Sequence, residues 1–418
     1  MRGLGHSARR TILGLLVGIA LCASETLQQI EARAQAAKAR GDAAAALAAY
    51  EEAAKLAPKS AKIQDEIGFL LAVMQRNTNA VAKFERSIDL DPKYAPAHYH
   101  LGVACWLEKN YDRGLQELRL AAELGPKIFD YRFRLGAALN DIGRFAEAIP
   151  ELKAASELNA RNADAWSALG LAYQGMNDSG PAADAYRHAL EIDPKNNGVR
   201  NSYGIALVNT GQGDAGIEQF RRVLASEPGN LASQLNIGFG YLQKSQLEDA
   251  IRQFREVIAK DSSLATAHYD LGVALKEKDD IDGAKVELVK ALELDPSMAE
   301  AHYTLGISNW QSGEFDEAAN HMRQAIALHP GYAQAYFMLG TVLKQKGDLD
   351  GAIAALRESI RLNSADPGPY NTLGQILKQR GDLEGSKQAF ADGAKAKAKI
   401  EERQADLLRN GMAVGRKP

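Results

Sequence analysis

Three histidines occupy positions where their type and spacing could support metal binding or catalysis. His98, His268 and His302 each stand second in a motif of the form Ala-His-Tyr-x-Leu-Gly. An imidazole nitrogen is a common zinc ligand and a common general base near neutral pH. Either role needs further groups at fixed distances, so the elements that carry these histidines decide whether the chemistry is possible.

The motif recurs in register with a period of 34 residues. Counting each repeat from seven residues before the final glycine gives eleven repeats over 27–400, without insertion or deletion, and the first has Ala34 in place of glycine. A fixed period of this length indicates stacked supersecondary units rather than separate globular domains. The marker glycines are Gly68, Gly102, Gly136, Gly170, Gly204, Gly238, Gly272, Gly306, Gly340 and Gly374.

The pattern within one repeat predicts two helices, at repeat positions 2–14 and 17–30. Apolar residues at positions 4, 7, 8 and 11 share one face of the first helix. The small residues at positions 8 and 20 predict a close antiparallel approach of the two helices. The Gly-Asp pairs at 347–348 and 381–382 predict a glycine that ends the first helix and an aspartate that caps the second. Pro150 is expected to kink the second helix of its repeat.

This arrangement resembles the tetratricopeptide repeat over 27–400. The resemblance implies an all-α fold, an α-solenoid in which antiparallel helix pairs form a right-handed superhelix. The first helices would line a concave groove that binds peptides or proteins, and catalysis is rare in the family. Repeat 27–60, with Arg33 at an otherwise apolar position, is predicted to be an atypical N-terminal cap. The last repeat lacks its terminating proline, so its second helix can continue until Gly411. A C-terminal capping helix is accordingly predicted at 392–409, with a tail at 410–418.

The repeat settles what the histidines are expected to do. All three fall at position 4, which Trp166, Tyr336 and Tyr370 fill in other repeats. Packed helices lie about 8–10 Å apart, whereas Zn–N bonds are about 2 Å long, and no cysteine or carboxylate completes a ligand set. We therefore predict packing roles for the histidines, with no metal, no cofactor and no catalytic residue. No phosphate-binding loop, nucleophile elbow or His-Glu-x-x-His motif is present either.

Aromatic residues at positions 5, 9 and 12 of the first helices form the candidate binding surface. These positions share one face, and by resemblance that face looks into the groove. The alternative is that the rings pack against the neighbouring repeat. Ser167 and Asn201 interrupt the aromatic series at position 5, which divides it into two zones. The predicted protein- and peptide-binding residues are Tyr99, Trp106, Phe133, Phe239, Tyr269, Tyr303, Trp310 and Phe337.

The N-terminus carries the pattern of an export signal at 1–23. Arg2, Arg9 and Arg10 precede the apolar run 12–21, and Ala23 before Ser24 is a plausible cleavage point. The run is short for a membrane-spanning helix. A cleaved signal peptide is predicted, with an uncleaved short membrane anchor or a lipoprotein signal acylated at Cys22 as alternatives. The protein is accordingly expected to be periplasmic or secreted, touching a membrane only through this segment if it is retained.

The net charge and the chain length limit the classes of function that the protein can have. Lys and Arg number 50 against 53 Asp and Glu, for a net charge of -3, which argues against a nucleic-acid partner. About 18 residues follow the last repeat, too few for a catalytic domain. We predict a non-catalytic scaffold for proteins or extended peptides. The alternatives are an envelope scaffold associated with polysaccharide or secretion machinery and a regulatory partner of a glycosyltransferase. The sequence leaves the oligomeric state open.

Overall fold

The computed structural model describes residues 25–414, so the predicted export signal at 1–23 lies outside the described residues. Between residues 25 and 414 the chain forms helices and no strands, as the all-α prediction requires. The first six repeats hold α1 (Leu27–Ala39), α2 (Ala43–Leu56), α3 (Ala61–Val73), α4 (Asn77–Leu90), α5 (Ala95–Leu107), α6 (Tyr111–Leu124), α7 (Phe129–Asp141), α8 (Phe145–Leu158), α9 (Ala163–Gly175), α10 (Ser179–Ile192), α11 (Asn197–Asn209) and α12 (Gly213–Ser226). The last five hold α13 (Leu231–Gln243), α14 (Leu247–Lys260), α15 (Ala265–Glu277), α16 (Ile281–Leu294), α17 (Ala299–Gln311), α18 (Phe315–Leu328), α19 (Ala333–Gln345), α20 (Leu349–Leu362), α21 (Pro367–Gln379) and α22 (Leu383–Val414).

Each repeat contains one helix pair, and the helices match the predicted positions closely. In the third repeat α5 covers positions 1–13 and α6 covers positions 17–30. The first helix therefore begins and ends one residue earlier than predicted, and the second is as predicted. The paired helices of ten repeats pack against each other, and in the remaining repeat, the sixth, Gly204 of α11 approaches Phe220 of α12. The prediction of an α-solenoid of helix pairs is confirmed.

The marker glycine at position 8 lies where the two helices of a repeat approach most closely. A Cβ atom added to Gly238 would lie 2.4 Å from Cε1 of Phe254, and one added to Gly272 would lie 2.7 Å from Cγ of Leu288. The same positions, 8 and 24, meet in all ten repeats that carry the glycine. Because nonbonded carbons need about 3.5–4.0 Å, a larger residue at position 8 of these ten repeats would force the neighbouring side chain or helix to move.

The turn between the two helices has a left-handed residue at position 15 in every repeat. Glycine occupies it at Gly41, Gly143, Gly211, Gly313, Gly347 and Gly381, and other residues occupy it at Gln75, Lys109, Asn177, Ser245 and Asp279. Glycine adopts this conformation without strain, whereas other residues do so at a cost. The Gly-Asp prediction is confirmed, since the Asp348 side chain accepts a hydrogen bond from the Gly351 amide at 2.9 Å.

The chain divides into two compact parts, Met1–Val199 and Arg200–Pro418. We call their described portions, 25–199 and 200–414, the N-terminal half and the C-terminal half. Within the N-terminal half, first helices of successive repeats contact each other at α3–α5 and α7–α9. Within the C-terminal half they do so at α13–α15, α15–α17, α17–α19 and α19–α21. Neighbouring first helices therefore form a continuous surface in each of these stretches.

The terminal repeats differ from the others in how they end. In the first repeat Ile30 and Ala34 are buried, while Arg33 points outward and pairs with Glu25 and Glu52. At the other end the predicted capping segment 392–409 continues the second helix of the last repeat, as the sequence indicates. The resulting helix α22 extends beyond the predicted end at Gly411 to Val414.

Two further observations concern single helices. The helix α8 continues through Pro150 to Leu158, so the proline does not end it. In addition, none of the described helices combines the length and apolar character that a bilayer crossing demands.

Candidate functional site

The position-4 histidines are held inside their own repeats. His98 is 4% exposed, its Nδ1 lies 2.6 Å from Glu117, and its Nε2 donates to the Pro92 carbonyl at 2.9 Å. The hydrogen bond to Glu117 raises the pKa of His98, although burial opposes the rise. His268 repeats this geometry, 2.7 Å from Glu287 and 3.2 Å from the Ser262 carbonyl.

The side chains at position 4 share a hydrogen-bond donor more consistently than they share an aromatic ring. In several repeats its side chain donates to the carbonyl six residues earlier, in the turn that ends the preceding repeat. Packing roles were predicted for this position, whereas Arg132 and Gln234 at the same place already pointed to a polar role. The donors and acceptors are Arg132 to Pro126 at 3.2 Å, Trp166 to Ala160 at 3.1 Å, Gln234 to Pro228 at 3.0 Å and Tyr370 to Ser364 at 3.4 Å. The contact ties each of these repeats to the one before it.

His302 has a different neighbour on the second helix. Its Nδ1 lies 3.0 Å from Nδ1 of His321, so one ring must donate and the other accept. Burial lowers the pKa of both histidines, and the proximity of His302 lowers that of His321 further. No group of three or more potential metal ligands occurs within residues 25–414.

Trp106 does not belong to the candidate binding surface. It is only 7% exposed and its ring lies 4.8 Å from that of Tyr111. Its Cε3 would be 3.3 Å from a Cβ on Gly114, so the indole fills space that a glycine at position 20 leaves open. The ring therefore stabilises the packing of α5 against α6.

The other seven predicted residues are half-buried, and their rings contact the adjacent structure. The Tyr99 ring lies 5.0 Å from that of Tyr131 on the next first helix. The Tyr303 ring lies 4.9 Å from that of Tyr332, and Phe337 approaches the site of a Cβ on Gly368 within 3.1 Å. These rings therefore pack against a neighbouring repeat and remain partly exposed to solvent. The half-buried residues are Tyr99, Phe133, Phe239, Tyr269, Tyr303, Trp310 and Phe337.

Position 6, next to the aromatic series, carries ionisable side chains that sequence reasoning overlooked. In the N-terminal half, Nδ1 of His100 lies 2.8 Å from the buried carboxylate of Asp65. Glu66 pairs with Lys38 at 2.6 Å, while Nε of Arg134 is buried without a hydrogen-bond partner in the described chain. Reading position 6 in the same way as position 5 would have found these residues. We call positions 5, 6, 9 and 12 of the first helices the first-helix face.

A largely apolar pocket of about 290 Å³ opens between α3, α4 and α5 in the N-terminal half. Phe69, Phe84 and His100 form part of its wall, and the two rings of Phe69 and Phe84 each lie 5.5 Å from the imidazole. Leu107, which is 71% exposed, stands at its edge. The pocket could hold one apolar side chain.

In the C-terminal half, Asp270 follows Tyr269 on α15 and is half-buried on the first-helix face. The side chain of Tyr269 hydrogen-bonds to Thr304 on the next first helix, and Tyr332 precedes α19. Burial raises the pKa of Asp270 to about 7. This carboxylate has no hydrogen bond or ion pair with any residue that the structure describes.

Comparisons with known proteins agree with this architecture. The family model "Tetratricopeptide repeat" matches residues 67–127, 240–299, 274–319 and 303–367, and "Cytochrome c-type biogenesis protein H TPR domain" matches 152–264. Together they match about two thirds of the chain, and neither description is that of an enzyme. No curated protein gives a significant match.

Solved structures with a similar chain path include a MamA structure at 28% identity, with 40% of this chain and 97% of that chain covered and a TM-score of 0.38. MamA from Desulfovibrio magneticus RS-1 gives 23% identity, 41% and 96% coverage and a TM-score of 0.38. The APC/C hetero-tetramer Cut9-Hcn1 gives 15% identity, 88% and 95% coverage and a TM-score of 0.47. With the family models matching most of its repeats, the chain belongs to the tetratricopeptide repeat family.

Proposed function

We propose that the protein is a non-catalytic scaffold that binds extended segments of partner proteins along the first-helix face. The observation that carries the proposal is the row of half-buried aromatic rings on successive first helices. Such rings offer a large contact area while their buried edges fix their orientation. Binding a partner would then require little further loss of side-chain conformational entropy in the scaffold.

The mechanism is burial of apolar partner groups against these rings, with polar groups setting the register. Each square ångström of apolar surface removed from water contributes about 25 cal/mol before the costs of association are subtracted. In the N-terminal half the pocket beside Phe69 would take an apolar side chain. In the C-terminal half the half-buried rings of Tyr303 and Phe337 would contact apolar groups of an extended segment.

We further propose that the scaffold acts outside the cytoplasm. The proposal rests on the basic residues and apolar run at 1–23. Mass-spectrometric identification of the mature N-terminus tests it. A terminus at Ser24 supports cleavage, an intact Met1 supports a retained anchor, and a lipid on Cys22 supports the lipoprotein alternative. Recovery of the protein in the cytoplasm with an intact N-terminus would contradict export.

Site-specific photocrosslinking tests the binding face. A photoreactive phenylalanine analogue replaces Tyr303 on the first-helix face or Val286 on α16, which is 67% exposed and on a second helix. We expect a discrete protein adduct at Tyr303 that is absent at Val286, and purified partner should reproduce it. Equal adducts at both places would contradict the proposal. Crosslinks to glycan alone at Tyr303 would favour the polysaccharide-associated alternative.

A further inference from the structure

The pocket between α3, α4 and α5 shares four of its lining residues with the first-helix face. Phe69 and Val103 occupy position 9 of their helices, while Tyr99 and His100 occupy positions 5 and 6 of α5. Leu107 lines the pocket as well and is 71% exposed, so water reaches an apolar side chain at its edge. A partner segment that lies along the first-helix face would therefore reach this pocket.

His100 brings a hydrogen-bonding group to this largely apolar pocket, and Asp65 fixes its orientation. Nδ1 of His100 lies 2.8 Å from Oδ1 of Asp65, whose side chain is only 3% exposed. A carboxylate can only accept hydrogen bonds, so Nδ1 carries the proton and Nε2 of the neutral ring is an acceptor. Asp65 is not among the residues that line the pocket, and Nε2 has no hydrogen-bond partner in the described chain. Because the His100 side chain is 25% exposed, this acceptor is open to a ligand.

Three aromatic rings hold the imidazole in place. The rings of Phe69, Phe84 and Tyr99 each lie 5.5 Å from that of His100, all in tilted arrangements. Nζ of Lys38 lies 4.3 Å from the centre of the Phe69 ring and covers one of its faces. Rings fixed in this way lose little conformational freedom when a ligand binds. An aromatic ligand can stack on them or meet them edge to face.

The size and the chemistry of the pocket define the side chain that fits it. An apolar cavity of about 150 Å³ holds a benzene molecule, so the pocket of about 290 Å³ has room for a bicyclic ring. Nε2 of His100 calls for a hydrogen-bond donor, which leucine, methionine and phenylalanine side chains lack. Indole combines a bicyclic apolar body with a single N–H donor and no acceptor. A basic side chain would find no carboxylate among the lining residues, and an acidic one would meet an imidazole that Asp65 already compensates.

We propose that this pocket binds a tryptophan side chain of the extended partner segment, with the indole N–H donating a hydrogen bond to Nε2 of His100. This inference rests on the proposed function and names the residue that anchors the partner. Tryptophan is among the residues that contribute most of the binding energy at protein interfaces. A buried indole also needs an acceptor for its N–H, and His100 supplies one that Asp65 already holds in place.

Peptide selection on the full chain tests the proposal. A displayed library of 12-residue peptides is selected on the wild-type protein, and binders that lose affinity for Leu107→Glu are kept as pocket ligands. This substitution places a charge at the edge of the pocket on a side chain that is 71% exposed, so the core is undisturbed. Val286→Glu is the matched control, because Val286 is 67% exposed on the second helix α16. It should leave the affinity of these peptides unchanged.

Each pocket ligand is then synthesised with its tryptophan replaced by alanine or by benzothienylalanine. The second replacement keeps the bicyclic shape and exchanges the N–H donor for sulfur. All peptides are titrated against wild type and against the double variant Asp65→Leu, His100→Phe. The double variant removes the acceptor together with its carboxylate partner, so that no buried charge is left unpaired.

Every pocket ligand should contain a tryptophan, and its replacement by alanine should weaken binding to wild type by about thirtyfold or more. Benzothienylalanine should weaken binding by about threefold to tenfold, which is the effect of one neutral hydrogen bond. In the double variant the tryptophan and benzothienylalanine peptides should bind within about twofold of each other, since the coupling is gone.

Pocket ligands without tryptophan would refute the indole site. Equal binding of the tryptophan and benzothienylalanine peptides to wild type would refute the hydrogen bond to His100, and this measurement needs no variant of the protein. An undiminished preference for tryptophan in the double variant would refute it too, once circular dichroism has verified that the helices are formed. These results leave the scaffold function intact, whereas absence of any peptide that binds the full chain would count against both.

Discussion

Replacing Asp270 by Asn should stabilise the C-terminal half at alkaline pH and have little effect in acid. Burial raises the pKa of this carboxyl from 3.8 to about 7 in the folded protein, whereas the unfolded chain keeps the ordinary value. Between these two pKa values the folded protein holds a proton that the unfolded chain has released. The free energy of unfolding of the wild type therefore falls as the pH rises through this window.

The magnitude follows from the two pKa values. One pKa unit corresponds to about 1.4 kcal/mol, so the rise to about 7 sets an upper limit of about 4 kcal/mol on the cost of ionising the folded form. Partial access of water to the side chain lowers this cost, and we expect about 1–3 kcal/mol. An asparagine of the same shape avoids the cost entirely because it does not ionise.

Chemical denaturation at about pH 4, 6 and 8 measures the effect, with Glu256→Gln, at an exposed carboxylate of α14, as control. Long repeat arrays can depart from two-state unfolding. Hydrogen exchange of the α15 amides therefore supplies the local free energy of opening alongside the global midpoint. The advantage of Asp270→Asn over wild type should grow steadily from acid to alkaline pH. A constant difference across this range would refute the reasoning, because it would mean that Asp270 titrates as an exposed acid does.

Three further substitutions test the packing, the turns and the histidine pair. Gly238→Ala should destabilise the protein by about 1–3 kcal/mol, because its new methyl group would stand 2.4 Å from a phenylalanine ring. Gly229→Ala is the control, since a Cβ there has nothing within 4 Å, and it should not destabilise the protein. Chemical denaturation measures both. Lys109→Gly should stabilise its half by about 0.5–1 kcal/mol in the same assay, because residue 109 has a φ of 62°. His321→Glu should reproduce the carboxylate partner seen at other position-4 histidines, so that NMR titration finds the pKa of His302 raised rather than lowered.

Each of these expectations has a result that contradicts it. Equal effects of Gly238→Ala and Gly229→Ala would show that the close approach of the helices does not restrict the residue at position 8. A loss of stability in Lys109→Gly would mean that the left-handed turn carries no strain. An unchanged pKa of His302 in His321→Glu would show that the two rings are not coupled.

The sequence predicted the fold well because the same constraints act in every repeat. The glycine at position 8 could be interpreted from its period, since a residue kept at one place in ten repeats must serve the contact that all of them share. The Gly-Asp turns could be predicted equally well. The continuation of the last helix through 392–409 was predictable as well, because no proline ends the second helix of the last repeat. Its end was less exact, since α22 extends to Val414 rather than ending at Gly411.

The candidate site was predictable only in part, and Trp106 shows why. Position 12 faces position 20 on the second helix, so the exposure of a ring there depends on the partner residue. In the third repeat the partner is Gly114, which leaves room for the indole to be buried. The ninth repeat has Ala318 instead, and Trp310 stays half-exposed. The pattern along one helix could not predict this difference, because it depends on a pair of residues.

Polar groups at positions 4 and 6 show how such an array separates stability from recognition. At position 4 the side chains of His98, Arg132 and His268 are satisfied by the second helix and the preceding turn, so they tie repeats together and leave nothing for a partner. At position 6 the groups lie on the first-helix face, where Nε of Arg134 is buried without a hydrogen-bond partner in the described chain. An unsatisfied buried polar group lowers stability. Nε of Arg134 therefore lowers stability on the face where the proposed scaffold would contact a partner.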